Sequence, residues 1–412
     1  MNVESFFSDN SKAAFKNDPP GAWMPKLPDG CIRLSSGYPD PELVPAEEIK
    51  AAVARLLDEE HDLPLHYLGS PRITKLKQQI LNRLAERGII VSEEQLLITS
   101  GACQAIDLIA RILLDEQTVV AVESPTYMEA LEIFQNYTKQ IISIPMDDQG
   151  IQTTLLKEML DERKRKGLAL PRFLYTIPTY QNPTGTTMST ERRQHLLKLS
   201  SEFDFLILED DAYGELSFDE IPPPIKSFDE CGRVLHVGSL SKVVAPGMRI
   251  GWIAGDHAFI KASEWFKKDL DHPFSQSTMA VYLENTHFEK RLLLLKELYR
   301  AKCAALIGAM EQYLPAPVSW LAPAGGYFVW VRIPGVDTSD LLPQALIEGV
   351  SYVPGKYFFL NQSDGTEFLR LSFSYADEEE IIDGIQKLGK LITPFFNGLP
   401  DRDMKDTNAP AP

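Results

Sequence analysis

Between residues 70 and 255, short apolar runs rich in β-branched side chains alternate with longer stretches in which apolar positions recur at helical spacing. The short runs predict strands at Leu96–Thr99, Val119–Val122, Ile141–Ile144, Phe173–Ile177, Phe205–Leu208 and Val234–Val237. The longer stretches predict helices over Gln104–Leu114, Met128–Asn136 and Glu191–Ser200. Strands alternating with helices of about 10–15 residues imply crossover units, and so a mostly parallel sheet with helices on both faces. The expected fold class is α/β. In such sheets ligands bind beyond the carboxyl ends of the strands.

A longer helical pattern follows at Phe288–Gln312, then short strands near Gly326–Val331, Val350–Val353 and Glu367–Phe373. These predict a smaller α+β domain, which we expect to be built from the N-terminal and C-terminal segments together. Pro19, Pro20, Pro25 and Pro28, with Gly21 and Gly30, favour an extended arm at the start of the chain. The last residues, DRDMKDTNAPAP, form a polar tail with no core to join. The expected division is 1–62 for the arm and part of the small domain, 63–297 for the large domain, 298–395 for the rest of the small domain and 396–412 for the tail.

Composition narrows the function. The 412 residues include 41 Lys and Arg against 58 Asp and Glu, a formal charge of −17, with 44% hydrophobic residues. That mix is globular, and its acidity argues against binding a phosphate backbone, which requires clustered cations. The basic run Arg163 to Lys166 is expected to be a solvated helix end. Cys31, Cys103, Cys231 and Cys303 lie far apart, so neither a disulfide framework nor a metal site is indicated. MNVESFFSDN lacks the basic-then-apolar order of a leader, and no apolar run approaches the roughly 20 residues of a membrane span. We therefore expect a cytoplasmic protein.

Polar clusters follow five of the predicted strands. Ser100 and Gly101 open a helix, where free N–H groups and the positive dipole end suit a phosphate; equally, they could be an ordinary cap and turn. Tyr127 follows the next strand, and alone could be a core or rim residue. Gln181 to Gly185 could be no more than a turn. Asp210 and Tyr213 stand where an apolar strand stops, though a carboxylate there could simply cap a helix. Lys242 sits between Ser241 and the pair Gly247 and Arg249, which in isolation would be a surface turn. Taken together, the clusters supply phosphate donors, a stacking aromatic, groups for the polar edge of a ring, and an amine nucleophile.

The strings SGACQAIDL, ESPTY, QNPTG, EDDAYGEL, GSLSKVVAPGMRIGW and FLRLSFS occur in an order and spacing that resembles the fold-type I pyridoxal-phosphate enzymes of aminotransferase class I/II. The resemblance is to the aminoadipate, kynurenine and aromatic aminotransferase branch and covers about residues 30 to 395. It implies pyridoxal 5'-phosphate as cofactor, held by Lys242 as a Schiff base. Asp210 resembles the carboxylate that keeps the pyridine nitrogen protonated. Tyr213 and Asn182 resemble donors to the ring's phenolic oxygen, and Tyr127 the ring stacked on it. Ser239, Ser241 and Arg249 resemble phosphate ligands, with backbone N–H groups of Gly101, Ala102 and Cys103; a hydroxyl found in some relatives is replaced here by Ala102. Arg370 resembles the clamp for the substrate's α-carboxylate. The bottom-up case agrees, since a lone Arg in an apolar strand needs an anion, although an internal ion pair would serve as well. Gly37 resembles a turn that brings backbone to the substrate, and Tyr67 a tyrosine that reaches the neighbouring subunit's phosphate, which implies a homodimer with shared sites.

The function expected is transamination between an L-amino acid and a 2-oxo acid, 2-oxoglutarate in particular, by a ping-pong mechanism. The branch implies an aromatic or aminoadipate-like donor. The same residues could serve a C–S lyase or another non-transaminating enzyme of this cofactor. A regulatory module sensing pyridoxal phosphate or an amino acid is less expected, because fewer than about 40 residues precede the resemblance and the chain is acidic.

Overall fold

The computed structural model describes residues 2–8, 11, 15, 21, 25–67, 69–220, 222–267 and 272–397. All but the first two residues of the expected tail, and Pro19 and Pro20 of the arm, lie outside these. In chain order the strands are β1 (Ile32–Arg33), β2 (Leu96–Thr99), β3 (Val119–Ser124), β4 (Ile141–Asp147), β5 (Gly150–Ile151), β6 (Pro171–Thr176) and β7 (Leu206–Asp210). They continue with β8 (Val234–Ser239), β9 (Gly251–Ala254), β10 (Ser319–Trp320), β11 (Phe328–Arg332), β12 (Val350–Ser351), β13 (Val353–Pro354) and β14 (Phe368–Ser372). An eight-stranded sheet runs β2-β9-β8-β7-β6-β3-β4-β5. Strands β3, β4, β6, β7 and β8 pair in parallel.

Strand β9 was not among the expected elements, and it runs antiparallel between β2 and β8. Its residues, Gly251, Trp252, Ile253 and Ala254, hold a single β-branched side chain and follow directly on the Arg249 cluster, so they do not stand out from the loop. Its register has consequences for the site. Thr99 faces Gly251, and Gly251 faces Ser239, so the ends of three strands meet in one row.

The alternation along β6 and β7 accounts for their unbroken apolar character. Phe173, Tyr175 and Leu208 enter a core with Ile106, Ile109 and Phe134 on one face. Leu174 and Ile207 enter a second core with Leu156, Leu196 and Leu199 on the other. Each strand is buried on both sides by helices, as a parallel sheet requires.

A separate antiparallel sheet, β10-β11-β14-β13, carries Arg370 in its centre, opposite Trp330 and Val353. Strand β1 pairs in parallel with β12, which ties the segment after residue 31 to the C-terminal part of the chain. The helix Phe288–Tyr313 packs against the helix Glu378–Ile392 beneath this sheet. The fold is thus a large, mostly parallel α/β sheet with a smaller α+β unit drawn from both ends of the chain.

Candidate active site

Gly101 caps the helix Ala102–Leu113 with φ of 84°, a left-handed conformation that costs glycine little. A Cβ there would lie 2.8 Å from Cζ of Arg249. The guanidinium therefore packs directly on the helix start and donates to the Ser100 carbonyl at 2.7 Å. One register step away, Ser239 Oγ lies 2.8 Å from Ser241 Oγ and accepts the Ser241 N–H at 3.1 Å. The helix start, two hydroxyls and a permanent cation thus stand at the ends of adjacent strands, the composition of a phosphate cradle.

Asp210 ends β7, and the Tyr175 hydroxyl donates to its Oδ2 at 2.8 Å. Its Oδ1 is buried without a hydrogen-bond partner. Burial pushes the carboxyl up to about 6, against the opposing bond from Tyr175. A buried orphan acceptor is costly, and a charged N–H donor would satisfy it.

Lys242 follows β8, and its Nζ donates to the Gly37 carbonyl at 2.8 Å. The rings of Tyr213 and Tyr327 have their centroids 5.8 and 5.9 Å away. Burial, and then the charge of Arg370, bring the amine down to about 8 from an ordinary 10.5. At neutral pH an appreciable fraction is thus the free nucleophile.

Arg370 is only 3% exposed. It donates to Asn182 Oδ1 at 2.8 Å and to the Ser35 carbonyl at 3.0 Å, and its guanidinium lies 4.1 Å from the Phe328 ring centroid. Its Nε is buried with no partner, and among the described residues no carboxylate pairs with it. Gly37, Tyr127, Asn182, Tyr213, Lys242 and Arg370 line one cavity of about 420 Å³. Asp210 and Cys103 do not line it, yet the charge of Asp210 acts on Lys242. Tyr67 is 86% exposed and lies apart from the cavity.

Three nearby groups, Glu129, Arg33 and Tyr175, had no motif to announce them. Glu129 accepts the Tyr127 hydroxyl at 2.5 Å and the Cys103 thiol at 3.3 Å, and it lines the cavity with Arg33. Burial, and then Glu129, push the Cys103 thiol up to about 12 and keep it protonated. Tyr175 reaches Asp210 only because β6 and β7 are neighbours, which spacing along the chain does not reveal. Gln181 turns away from the cavity and bonds to Glu123 at 3.1 Å and the Pro125 carbonyl at 2.9 Å, fixing the loop that presents Asn182.

The family model of aminotransferase class I and II matches residues 29–388. The chain belongs to this family. It is 40% identical to aromatic-amino-acid aminotransferase 1 of Thermococcus litoralis, over 88% of each chain. The solved multiple substrate aminotransferase of Thermococcus profundus superposes with a TM-score of 0.87 at 36% identity, over 97% of this chain and 100% of that one. An alpha-aminoadipate aminotransferase of Thermus thermophilus, complexed with N-(5'-phosphopyridoxyl)-L-leucine, superposes with a TM-score of 0.85 at 30% identity, over 97% of this chain and 100% of that one. The protein is a pyridoxal-phosphate-dependent aminotransferase. The orphaned Asp210 Oδ1, the cradle at Gly101 and Arg249, and the depressed Lys242 fit this cofactor's ring nitrogen, phosphate and aldehyde. Among the described residues no helix is long and apolar enough to cross a membrane.

Proposed function

We propose that this aminotransferase moves an amino group from an L-amino acid to 2-oxoglutarate in two half-reactions at one site, with Lys242 as the covalent anchor and the proton carrier. The observation that carries this assignment is the pairing, in one cavity, of an amine brought down to about 8 with a buried guanidinium that has no carboxylate partner among the described residues. When bound, pyridoxal phosphate supplies an aldehyde for the amine and a ring that accepts the electron pair left at Cα. The chain supplies the rest. Gly101, Ala102, Cys103, Ser239, Ser241 and Arg249 hold the phosphate. Asp210, fixed by Tyr175, holds a proton on the ring nitrogen, and Tyr127 covers the ring face. Tyr213 and Asn182 donate at the ring's polar edge, and Asn182 also orients Arg370.

Arg370 holds the α-carboxylate of donor and acceptor alike, beside the Gly37 carbonyl. Lys242, once free, takes the proton from Cα and returns it on the cofactor side. Arg33 lines the same cavity and pairs with no carboxylate among the described residues, which supports an acceptor with a second carboxylate. The size of the cavity, and the likeness to an enzyme named for aromatic amino acids, support a donor with a large side chain. Residues 63–297 then form the unit that carries the cofactor. Residues 298–395, with the segment before 62, form the unit that supplies Gly37 and Arg370. We take the enzyme to be cytoplasmic and a homodimer.

A panel of amino acids incubated with holoenzyme and 2-oxoglutarate tests the reaction. Stoichiometric glutamate and the 2-oxo acid of the donor are expected. Release of ammonia or a thiol without glutamate would instead identify a C–S lyase.

A further inference from the structure

The cavity holds one negative charge that neither the cofactor nor the α-carboxylate uses. Glu129 is the second residue of the helix Met128–Gln135, where a carboxylate is favoured by the free N–H groups whatever its role. Its direction is more telling. Glu129 lines the cavity and does not fold back on the helix start, and its charge acts on both Lys242 and Arg370. Both recorded hydrogen bonds, from Tyr127 and Cys103, fall on Oε2. Oε1 takes no hydrogen bond within the described residues, and the side chain as a whole is half-buried at the cavity wall. Among the described residues no cation pairs with Glu129.

An unpaired carboxylate in a site that must bind two anions, a phosphate and an α-carboxylate, opposes binding unless it meets something positive. Arg370 is satisfied by the substrate's α-carboxylate, and Lys242 by the cofactor. Arg33 lines the same cavity but forms no ion pair with Glu129 among the described residues, so what remains is the end of the donor's side chain.

We propose that Glu129 is a specificity-determining residue that sorts amino donors by the charge at the end of the side chain, favouring an ammonium or guanidinium terminus over a carboxylate. This rests on the transamination assigned above and names a substrate class within it. Arg33, on β1, offers the opposite charge, so a cationic donor and a dicarboxylate acceptor can each turn to its own partner in the same cavity. Such sorting works by repulsion as much as by attraction.

The test compares wild type with Glu129→Gln, which keeps an acceptor oxygen for Tyr127 while removing the charge. For ornithine, kcat/KM should fall roughly tenfold to a hundredfold, the range of one charge-assisted hydrogen bond. For glutamate it should rise, with phenylalanine between the two. Loss of equal size for all three donors would overturn the inference, since a merely structural role has no reason to distinguish charge.

Wild type alone gives a second measurement that needs no variant to fold. Ornithine should exceed the uncharged norvaline by about tenfold or more in kcat/KM, and parity would overturn the inference. The α-methyl analogues of ornithine and norvaline have no Cα hydrogen to lose, and titrating them into holoenzyme by absorbance repeats the comparison without turnover. Amino transfer without sorting overturns the role of Glu129 alone. Sorting in the binding titration with no transfer from any donor overturns the reaction assignment and supports Glu129.

Discussion

Replacing Arg370 with Ala tests the group on which, in the function we propose, both half-reactions depend. In the folded protein the guanidinium spends one N–H each on Asn182 and the Ser35 carbonyl, leaving its buried Nε and its outward N–H groups for an incoming carboxylate. A charge-assisted hydrogen bond contributes about 1.5–3 kcal/mol, and a forked pair in a desolvated site somewhat more. A loss of about 2–4 kcal/mol corresponds to a fall in kcat/KM of roughly 30- to 700-fold. The loss should be the same for every amino acid and for the 2-oxo acid, because each presents the same α-carboxylate. Stability should change little. Removing a buried cation without a counter-ion relieves a cost, while the orphaned Asn182 Oδ1 imposes one of similar size. Steady-state kinetics with amino acids, 2-oxo acids and a carboxylate-free amine, together with a thermal melt, measure all of this. Equal losses for the carboxylate-free amine, or a collapse of the melting temperature, would show that Arg370 serves the fold and not the substrate.

Borohydride reduction of holoenzyme should fix the cofactor on the peptide containing Lys242 and on no other lysine. Because the folded amine lies near 8, below its ordinary value, it is protonated and unreactive at low pH and free above the midpoint. The rate at which cofactor-free protein takes up pyridoxal phosphate should therefore rise through about pH 8 and level off, and a rate independent of pH between 7 and 9 would contradict the placement. The stability of the cofactor-free protein should also rise with pH between about 8 and 10.5, where the unfolded chain holds the proton and the folded one does not. If Tyr67, exposed in the single chain, completes the site of a second subunit, mixing inactive Lys242→Ala and Tyr67→Ala proteins should restore activity, since one site of the mixed dimer has both residues intact. A fully active monomer by sedimentation would exclude that arrangement.

The sequence pattern made the parallel strands, and the residues standing at their ends, legible because burial on both faces leaves unbroken apolar runs such as those of β6 and β7. Strand β9 escaped, since Gly251 and Ala254 at its ends are weak strand formers and leave no β-branched run. The chain could show that Arg370 needs an anion, because one charge in an apolar strand is conspicuous. It could not show that Tyr175 bonds to Asp210, or that Arg249 packs on Gly101, because those contacts arise from strand order and not from spacing. Glu129 was hidden for a different reason. A carboxylate in the first turn of a helix is ordinary by every local rule, and only the direction of its side chain sets it apart.

Two of the cavity's cations, Lys242 and Arg370, are held by one short piece of backbone. Lys242 Nζ is held by the Gly37 carbonyl, and Arg370 by the Ser35 carbonyl two residues before it. Carbonyl dipoles orient both groups without neutralising either, so after burial the charge of Arg370 is the next cause of the lowered Lys242. That arrangement serves the cofactor-free lysine, which must be neutral to attack an aldehyde. In the cycle we propose the demand later reverses, because the freed amine would accept a proton from Cα. A substrate carboxylate seated on Arg370 cancels the positive field at Nζ and raises the amine's affinity for that proton when it is needed. The α-carboxylate is thus more than a handle. It makes Lys242 a better base, so an amine without one should lose proton-transfer rate as well as binding, and the deficit should show in kcat at saturation and not in KM alone.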